Sequence, residues 1–415
     1  MKNTFFIFAI LLVFSAGLYA QTEDLSGWDI DSLFDDPLPQ GDDYAADSIS
    51  GTDIMDNLIM QKGLIFDASF EFMGGIAPGW NETPWFFDDE KEFSWGQSIK
   101  MRANLGMDAR ISQVFRAVIK FSFEVPWFKL KLGDFFFDYN LYDRIFIRAG
   151  KYNQSWGISP NYSFTNLPAR VPQGGSSGES FLFKADIPAG IGGVQLLALT
   201  RADLLNGVIP GWRGIGYGGK FNLALRLADF DLGVFYQDDM PLRGFLSVKT
   251  TIGDTEIYNE WLGSYSRDPR KFSGAFNLGL ARDFFGTDLG VNGELFYNAE
   301  NDAFWYEPES GIREARISPF IDGWNLALNL IYRGGGKLSP RFFVQTLYAP
   351  WQRSARLVPG VRLNPFPHAE LYFAVPMSLG GRDGYYYSHT PDPNDRPFSI
   401  VLLLTLKGGV RSSFN

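Results

Sequence analysis

The chain of 415 residues has no cysteine, two histidines, 45 glycines and 16% aromatic residues, with 37 basic against 47 acidic side chains. Those counts exclude disulfides, thiolate sites and a histidine-rich metal cluster, and a charged fraction of 20% beside so many aromatics is unusual for a soluble enzyme. The same balance suits a chain whose strands turn one face to lipid.

Residues 1–20 read as an export signal: Lys2 supplies the positive start, Phe5 to Phe14 an apolar stretch, and Ser15-Ala16-Gly17-Leu18-Tyr19-Ala20 the small-residue cleavage region before Gln21. The apolar stretch is too short to span a membrane. With no cysteine to acylate, the exported chain is not a lipoprotein, and its expected destination is the outer membrane. Residues 21–60 then hold eleven acids and no base, whereas 61–415 balances at 36 acidic and 36 basic residues. The acidic run reads as a flexible periplasmic N-terminal segment, with a plug or a docking peptide for a periplasmic partner as alternatives.

From residue 64 the dominant signal has period two, the strand period. In 64–73, Leu64, Phe66, Ala68, Phe70 and Phe72 oppose Asp67, Ser69 and Glu71. In 93–108, Phe93, Trp95, Gln97, Ile99, Met101, Ala103, Leu105 and Met107 oppose a row that includes Lys100, Arg102 and Asp108. The stretch 114–125 sets Phe115, Ala117, Ile119, Phe121, Phe123 and Val125 against Val114, Arg116, Val118, Lys120, Ser122 and Glu124. Next, 217–228 alternates Tyr217, Phe221, Leu223, Leu225 and Leu227 with Lys220, Asn222 and Arg226, and Asp229-Phe230 is expected to turn the chain. The run 271–283, a turn at Gly286-Thr287, then Leu289, Val291, Leu295 and Tyr297 continue the pattern, as does 324–333, where Trp324 to Tyr332 oppose Asn325, Asn329 and Arg333. Alternation is least clean in 128–137, 181–200 and 313–320.

A soluble sandwich also alternates, so alternation alone does not decide. These strands run ten to sixteen residues, against about 5–6 in soluble sheets. Aromatics sit at strand ends, as at Phe93/Trp95, Tyr217, Tyr297 and Trp324/Tyr332, where interfacial girdles belong. Short turns (109–113, 229–230, 284–287, 334–340, 364–368) alternate with long loops (74–92, 153–179, 201–215, 253–270, 299–312, 380–397). No apolar stretch after residue 20 is long enough for a helical span. The expectation is an all-β transmembrane antiparallel β-barrel over 61–415, with short periplasmic turns and long outer loops. About 16 strands are expected, within a range of 14–18, because closure in lipid pairs every backbone group.

The pattern over 64–410 resembles porin-like outer-membrane β-barrel channel proteins of diderm bacteria, of spirochaete type. One local stretch adds to it: Arg144-Ile-Phe-Ile-Arg-Ala-Gly-Lys-Tyr-Asn-Gln-Ser-Trp-Gly157 is similar to a strand-to-loop segment of several such barrels. The resemblance implies handling by the barrel-assembly machinery, which reads a terminal aromatic. Here Phe414 stands one place short of the end at Asn415.

The polar rows offer Lys100, Arg102, Arg116, Lys120, Arg148, Lys220 and Arg226 against Asp67, Glu71, Glu124 and Glu294 as lumen or selectivity candidates. Two arrangements of them are open: a basic wall over 93–125 that attracts anions, or ladders of mutually compensating charge. Loop 153–179 is the constriction candidate through Trp156, Tyr162, Phe164 and Arg170, stiffened by proline and hinged by Gly174, Gly175 and Gly178. His368 lies in a turn, and His389 lies in an outer loop near Asp383, Asp392 and Asp395, carboxylates of the kind a histidine base would need for orientation. A lone loop histidine among Pro and Asp reads as solvated, so no catalytic residue, cofactor or metal is expected. The glycine pairs Gly74-Gly75, Gly218-Gly219 and the Gly334 run precede no helix, as a phosphate cradle must, and read as turns or close packing. The expected function is passive diffusion of small hydrophilic solutes. The alternatives are an adhesin-like surface barrel and a transporter of hydrophobic compounds. Expected partners are outer-membrane lipid, the assembly machinery and small solutes, with no nucleic acid, since no basic patch stands out.

Overall fold

In the computed structural model the described residues are 63–80, 93–126, 128–162, 164–168, 180–200, 215–238, 241–266, 270–284, 288–299, 322–336, 338–381, 384, 386 and 397–414. They form β1 (Gly63–Trp80), β2 (Phe93–Arg110), β3 (Phe115–Val125), β4 (Lys129–Leu141), β5 (Ile145–Tyr152), β6 (Ser180–Ala189), β7 (Gly192–Thr200), β8 (Ile215–Ala224) and β9 (Asp229–Gln237). The second half comprises β10 (Leu242–Ile252), β11 (Thr255–Ser266), β12 (Lys271–Phe284), β13 (Leu289–Asn298), β14 (Gly323–Arg333), β15 (Arg341–Ala349) and β16 (Ser354–Phe366). It ends with β17, in two parts (Ala369–Ala374 and Met377–Gly380), and β18, also in two parts (Phe398–Ser399 and Val401–Phe414). The break in β17 falls at Pro376, which has no N–H for the ladder. Backbone bonds bridge both breaks: Val375 N donates to Pro359 O and Ile400 N to Pro78 O.

Every strand pairs antiparallel with its chain neighbour, and β18 returns to β1 from Leu64↔Phe414 to Ile76↔Leu402. The sheet is therefore a closed barrel of 18 strands with no open edge. That is two more than the expected 16, at the top of the 14–18 range, and the alternation blurs in two places. Residues 253–270, expected as one long loop, hold the tight turn Gly253-Asp254 and the whole of β11. In β11 Asn259 interrupts the outward row between Ile257 and Trp261, while Tyr258 and Leu262 face inward, so neither row is uniformly apolar. In β4 a register shift at Gly133-Asp134 moves the outward row from Leu130 and Leu132 to Phe135, Phe137 and Tyr139. Beside the bulge the Lys151 ammonium donates to Leu132 O.

The turn expected at 229–230 lies four residues earlier, at 225–228, and the run 74–80, expected as loop, extends β1. Residues 181–200 form the β6–β7 hairpin, turned at Gly190 with φ +61°. The 313–320 stretch lies outside the described residues, as do 1–62 with the signal and the acidic segment.

Polarity is inverted relative to a soluble sheet. Outward residues such as Leu105 (60% exposed) and Phe70 (50%) are open, while inward Glu260 and Asn277 are fully buried. That inversion removes the sandwich alternative, whose apolar row would be the buried one. Gly63 and Phe414 share one rim with the short turns 111–114, 142–144, 190–191, 225–228, 253–254 and 367–368. The strand ends Trp80 and Phe93, Tyr152 and Ser180, Thr200 and Ile215, Asn298 and Gly323, and Gly380 and Phe398, between which the long connections run in sequence, lie at the other rim. In an outer-membrane barrel the first rim is the periplasmic one.

Candidate functional site: a loop seated in the lumen

One side of the lumen is a ladder of ion pairs on β1 to β5, β8, β9 and β18. Arg102 reaches Glu124 at 3.2 Å and Glu71 at 3.9 Å, and Lys407 meets Glu71 at 3.1 Å. Lys131 shares Glu124 at 3.0 Å. Arg116 lies 2.9 Å from Asp108 and 3.5 Å from Asp138, whose other oxygen takes Arg148 at 2.6 Å. Lys120 pairs with Asp134 at 2.7 Å and Lys220 with Asp231 at 3.3 Å. The Arg148 guanidinium also sits 4.5 Å from the Phe136 ring centre. Of the two arrangements left open by the sequence, this is the compensated ladder: each of these bases stands on a carboxylate.

The facing wall, β10 to β14, is built differently. Its inward row carries short polar side chains, Ser247, Glu260, Asn277, Asn292, Glu294 and Asn329, all buried. They are buried because residues 153–168 fold inward from the end of β5 and lie on them. Glu294 is the principal post. Its two oxygens accept from Ser159 Oγ (2.6 Å), Asn161 N (3.0 Å), Asn161 Nδ2 (2.9 Å), Tyr162 N (3.1 Å), Tyr258 OH (3.0 Å) and Asn277 Nδ2 (3.2 Å). Glu260 Oε1 accepts from Ile158 N at 3.1 Å, Ser247 Oγ at 3.3 Å and the Thr165 hydroxyl. Asn161 reaches further, donating to Asn292 Oδ1 at 3.0 Å and accepting from Asn329 Nδ2 at 2.9 Å. Backbone N–H groups of an irregular segment thus find acceptors that no ladder supplies.

Apolar packing completes the seat. Trp156, Tyr162, Phe164 and Leu167 from the loop join inward Leu197, Leu199, Phe235, Phe245, Leu262 and Phe296 in one buried cluster. Tyr162 stacks on Phe296 with ring centres 4.7 Å apart, and Trp156 lies 5.7 Å from Phe245. The Trp156 indole N–H donates to Gln195. Burial raises the Tyr162 phenol well above its ordinary value, with Tyr386 and Glu294 adding to the effect, so it stays neutral. Two glycines make the room: a methyl at Gly218 would lie 2.6 Å from the Trp156 ring, and one at Gly279 would lie 2.1 Å from Tyr258. Gly218 is thus close packing, one of the readings its sequence context offers.

Among the sequence candidates, Lys100, Arg102, Arg116, Lys120, Arg148, Lys220, Asp67, Glu71 and Glu124 occupy inward positions on the ladder side. Glu294 faces them from the loop seat. Arg226 is exposed in turn 225–228 and does not line the strand wall. Trp156, Tyr162 and Phe164 are buried in the seat, and Arg170 falls outside the described residues. His368 sits in the turn after β16, as expected, with φ +68°; His389 is outside the described residues. Sequence reasoning missed Glu260, Asn277, Asn292 and Asn329, because their neighbourhood depends on register across four strands. The available signal was the run of short amides on one row of β12 to β14.

No family model matches the chain, and no curated protein matches it in sequence. Solved structures do match. OccAB3 of Acinetobacter baumannii superposes with a TM-score of 0.54 at 6% identity, over 84% of this chain and 99% of that one. OccK9 (OpdG) of Pseudomonas aeruginosa gives 0.54 at 8%, over 84% and 98%. OpdO of Pseudomonas aeruginosa gives 0.53 at 10%, over 84% and 97%. The fold is that of outer-membrane porins. Identities this low speak to the fold alone.

Proposed function

We propose that this chain is an outer-membrane channel for passive diffusion of small hydrophilic solutes. The observation that carries the reading is the lumen: a closed barrel whose inward rows are polar, narrowed by a loop held on one wall and lined by paired charges on the other. Solutes then pass between the ladder and the loop, and selectivity arises from the local field of Arg102, Arg116, Lys120 and Arg148 with their carboxylates. Trp156, Tyr162 and Phe164 act through position, filling the seat so that the loop backbone stands in the bore. No step in this reading calls for catalysis, a cofactor or a metal.

The reading includes removal of residues 1–20 on export and an acidic segment 21–60 on the periplasmic side, from which β1 enters the barrel. The resemblance to spirochaete-type barrels is architectural over 64–410, and 144–157, which runs through β5 into the seated loop, adds to it. The test is conductance in a planar bilayer, with reversal potentials under a salt gradient. Discrete steps are expected, with weak ion preference because the ladder is compensated. A folded, heat-modifiable barrel without conductance overturns the reading and leaves the surface-interaction class.

A further inference from the structure

The loop seat contains two buried carboxylates, and no basic side chain is among the partners of either among the described residues. Their hydrogen-bond accounts differ. Glu294 has donors on both oxygens, so its charge is spread over a full set of bonds. Glu260 has three donors on Oε1 and none on Oε2. Directly across the strand pair, at the register partner of Glu260, Asn277 gives its Nδ2 to Ser159 (2.8 Å) and Glu294 (3.2 Å) and leaves Oδ1 without a donor. Two buried acceptors therefore stand in one row with nothing to accept.

Turning the Asn277 amide over does not resolve the deficit, since Nδ2 would then serve Glu260 and Oδ1 would confront Glu294 Oε2. Either way the row is short of one hydrogen. Both oxygens are buried and without a hydrogen-bond partner. One proton between them would serve both.

We propose that the row Glu260–Asn277–Glu294 holds one proton, carried on Glu260 Oε2 and donated to Asn277 Oδ1, and that this proton locks the loop into its seat. The inference rests on the channel reading only for its conductance readout. The groups facing Glu260 are Ser247 from β10, Tyr258 and Asn277 from its own and the next strand, Glu294 from β13 and Thr165 from the loop, with Tyr162 stacked on Phe296 beside them. None supplies a positive charge. A glutamate exposed to water by an unseated loop is ionised at neutral pH. Seating therefore takes up one proton and unseating releases it. The sign follows: the lock is complete at low pH and weakens as pH rises, by about tenfold per unit in the range where one proton is exchanged.

Infrared spectroscopy of the refolded full chain in detergent tests this directly. A protonated-carboxyl C=O band is expected at neutral pH and is lost in Glu260→Gln, whose amide N–H replaces the O–H donor and keeps the loop seated. In bilayers the wild type is expected to open by about twofold or more on raising the pH, by withdrawal of the loop from the bore, whereas Glu260→Gln stays at the low level. Absence of the band from the folded wild type, or its survival in Glu260→Gln, overturns the proposal. So does a wild-type conductance that responds to a chelator and not to pH. If the variant does not fold, the wild type alone decides, because band and low conductance must disappear over the same pH range. A barrel that carries the band but is silent in bilayers sinks the channel reading and leaves the proton in place.

Discussion

The two walls of the lumen use the same strand alternation to opposite ends. On β1 to β5, β8 and β9 the charged inward side chains are long, and they satisfy one another across strands while staying partly exposed. On β10 to β14 the polar side chains beneath the loop are Ser247, Glu260, Asn277, Asn292, Glu294 and Asn329, short and mostly neutral, and the two carboxylates give their acceptors to the backbone of residues 153–168. Long cations fold onto neighbouring carboxylates and cover their own wall. Short amides and fixed carboxylates have no such reach and stay available to a foreign segment. The lesson is that side-chain length, more than polarity, separates a solvated ladder from a docking surface.

The comparison breaks hardest at the post. Glu294→Ala removes the acceptor of six hydrogen bonds and strands buried donors at on the order of 1–3 kcal/mol each. The expected result is a folded barrel with an unseated loop, read as a several-fold rise in single-channel conductance. The outward row supplies the control. Leu328→Arg, beside inward Asn329, sets a charge against lipid at about 2–4 kcal/mol near the midplane. It should lower unfolding stability in lipid vesicles without changing the conductance of the molecules that insert. Gly279→Ala tests the support beneath the post, for its methyl drives Tyr258 away from Glu294. A cost of about 1–3 kcal/mol is expected, with a noisier, partly raised conductance that Tyr258→Phe reproduces more weakly. The smallest effect on stability belongs to the ladder. Arg102→Ala should cost no more than about 1 kcal/mol, the pairs being partly exposed. It leaves Glu71 and Glu124 less compensated, so the reversal potential should move toward cation preference. A large loss of stability from Arg102→Ala, or none from Glu294→Ala, would erase the distinction between the walls.

The outward row was legible because lipid tolerates little besides apolar side chains: Phe93 to Met107 and Phe115 to Phe123 can be read without a partner strand. The inward rows give their residues away but not their use. Arg102 and Glu124 both show as polar positions, yet their pairing follows only from register, which the sequence does not display. Loop 153–179 announced itself by length, proline and aromatics, while the seat of residues 153–168 is scattered over Glu260, Asn277, Asn292, Glu294 and Asn329. Irregular rows account for what the count lost. In β11, expected as loop, Asn259 and Tyr258 trade the polarity expected of their rows, and in β4, where the alternation reads least clean, a bulge shifts the period by one residue.

The seam between β1 and β18 carries a consequence for how the molecule can be cut and rejoined. Leu64 and Phe414 are register partners at the same rim, so the last strand and the first form a hairpin that lacks only its turn. A short linker there would make the ring continuous, and new ends could be opened at the exposed turn 190–191 without breaking a single ladder bond. The order in which the strands are made is thus a property of the gene, while the finished wall has no first strand.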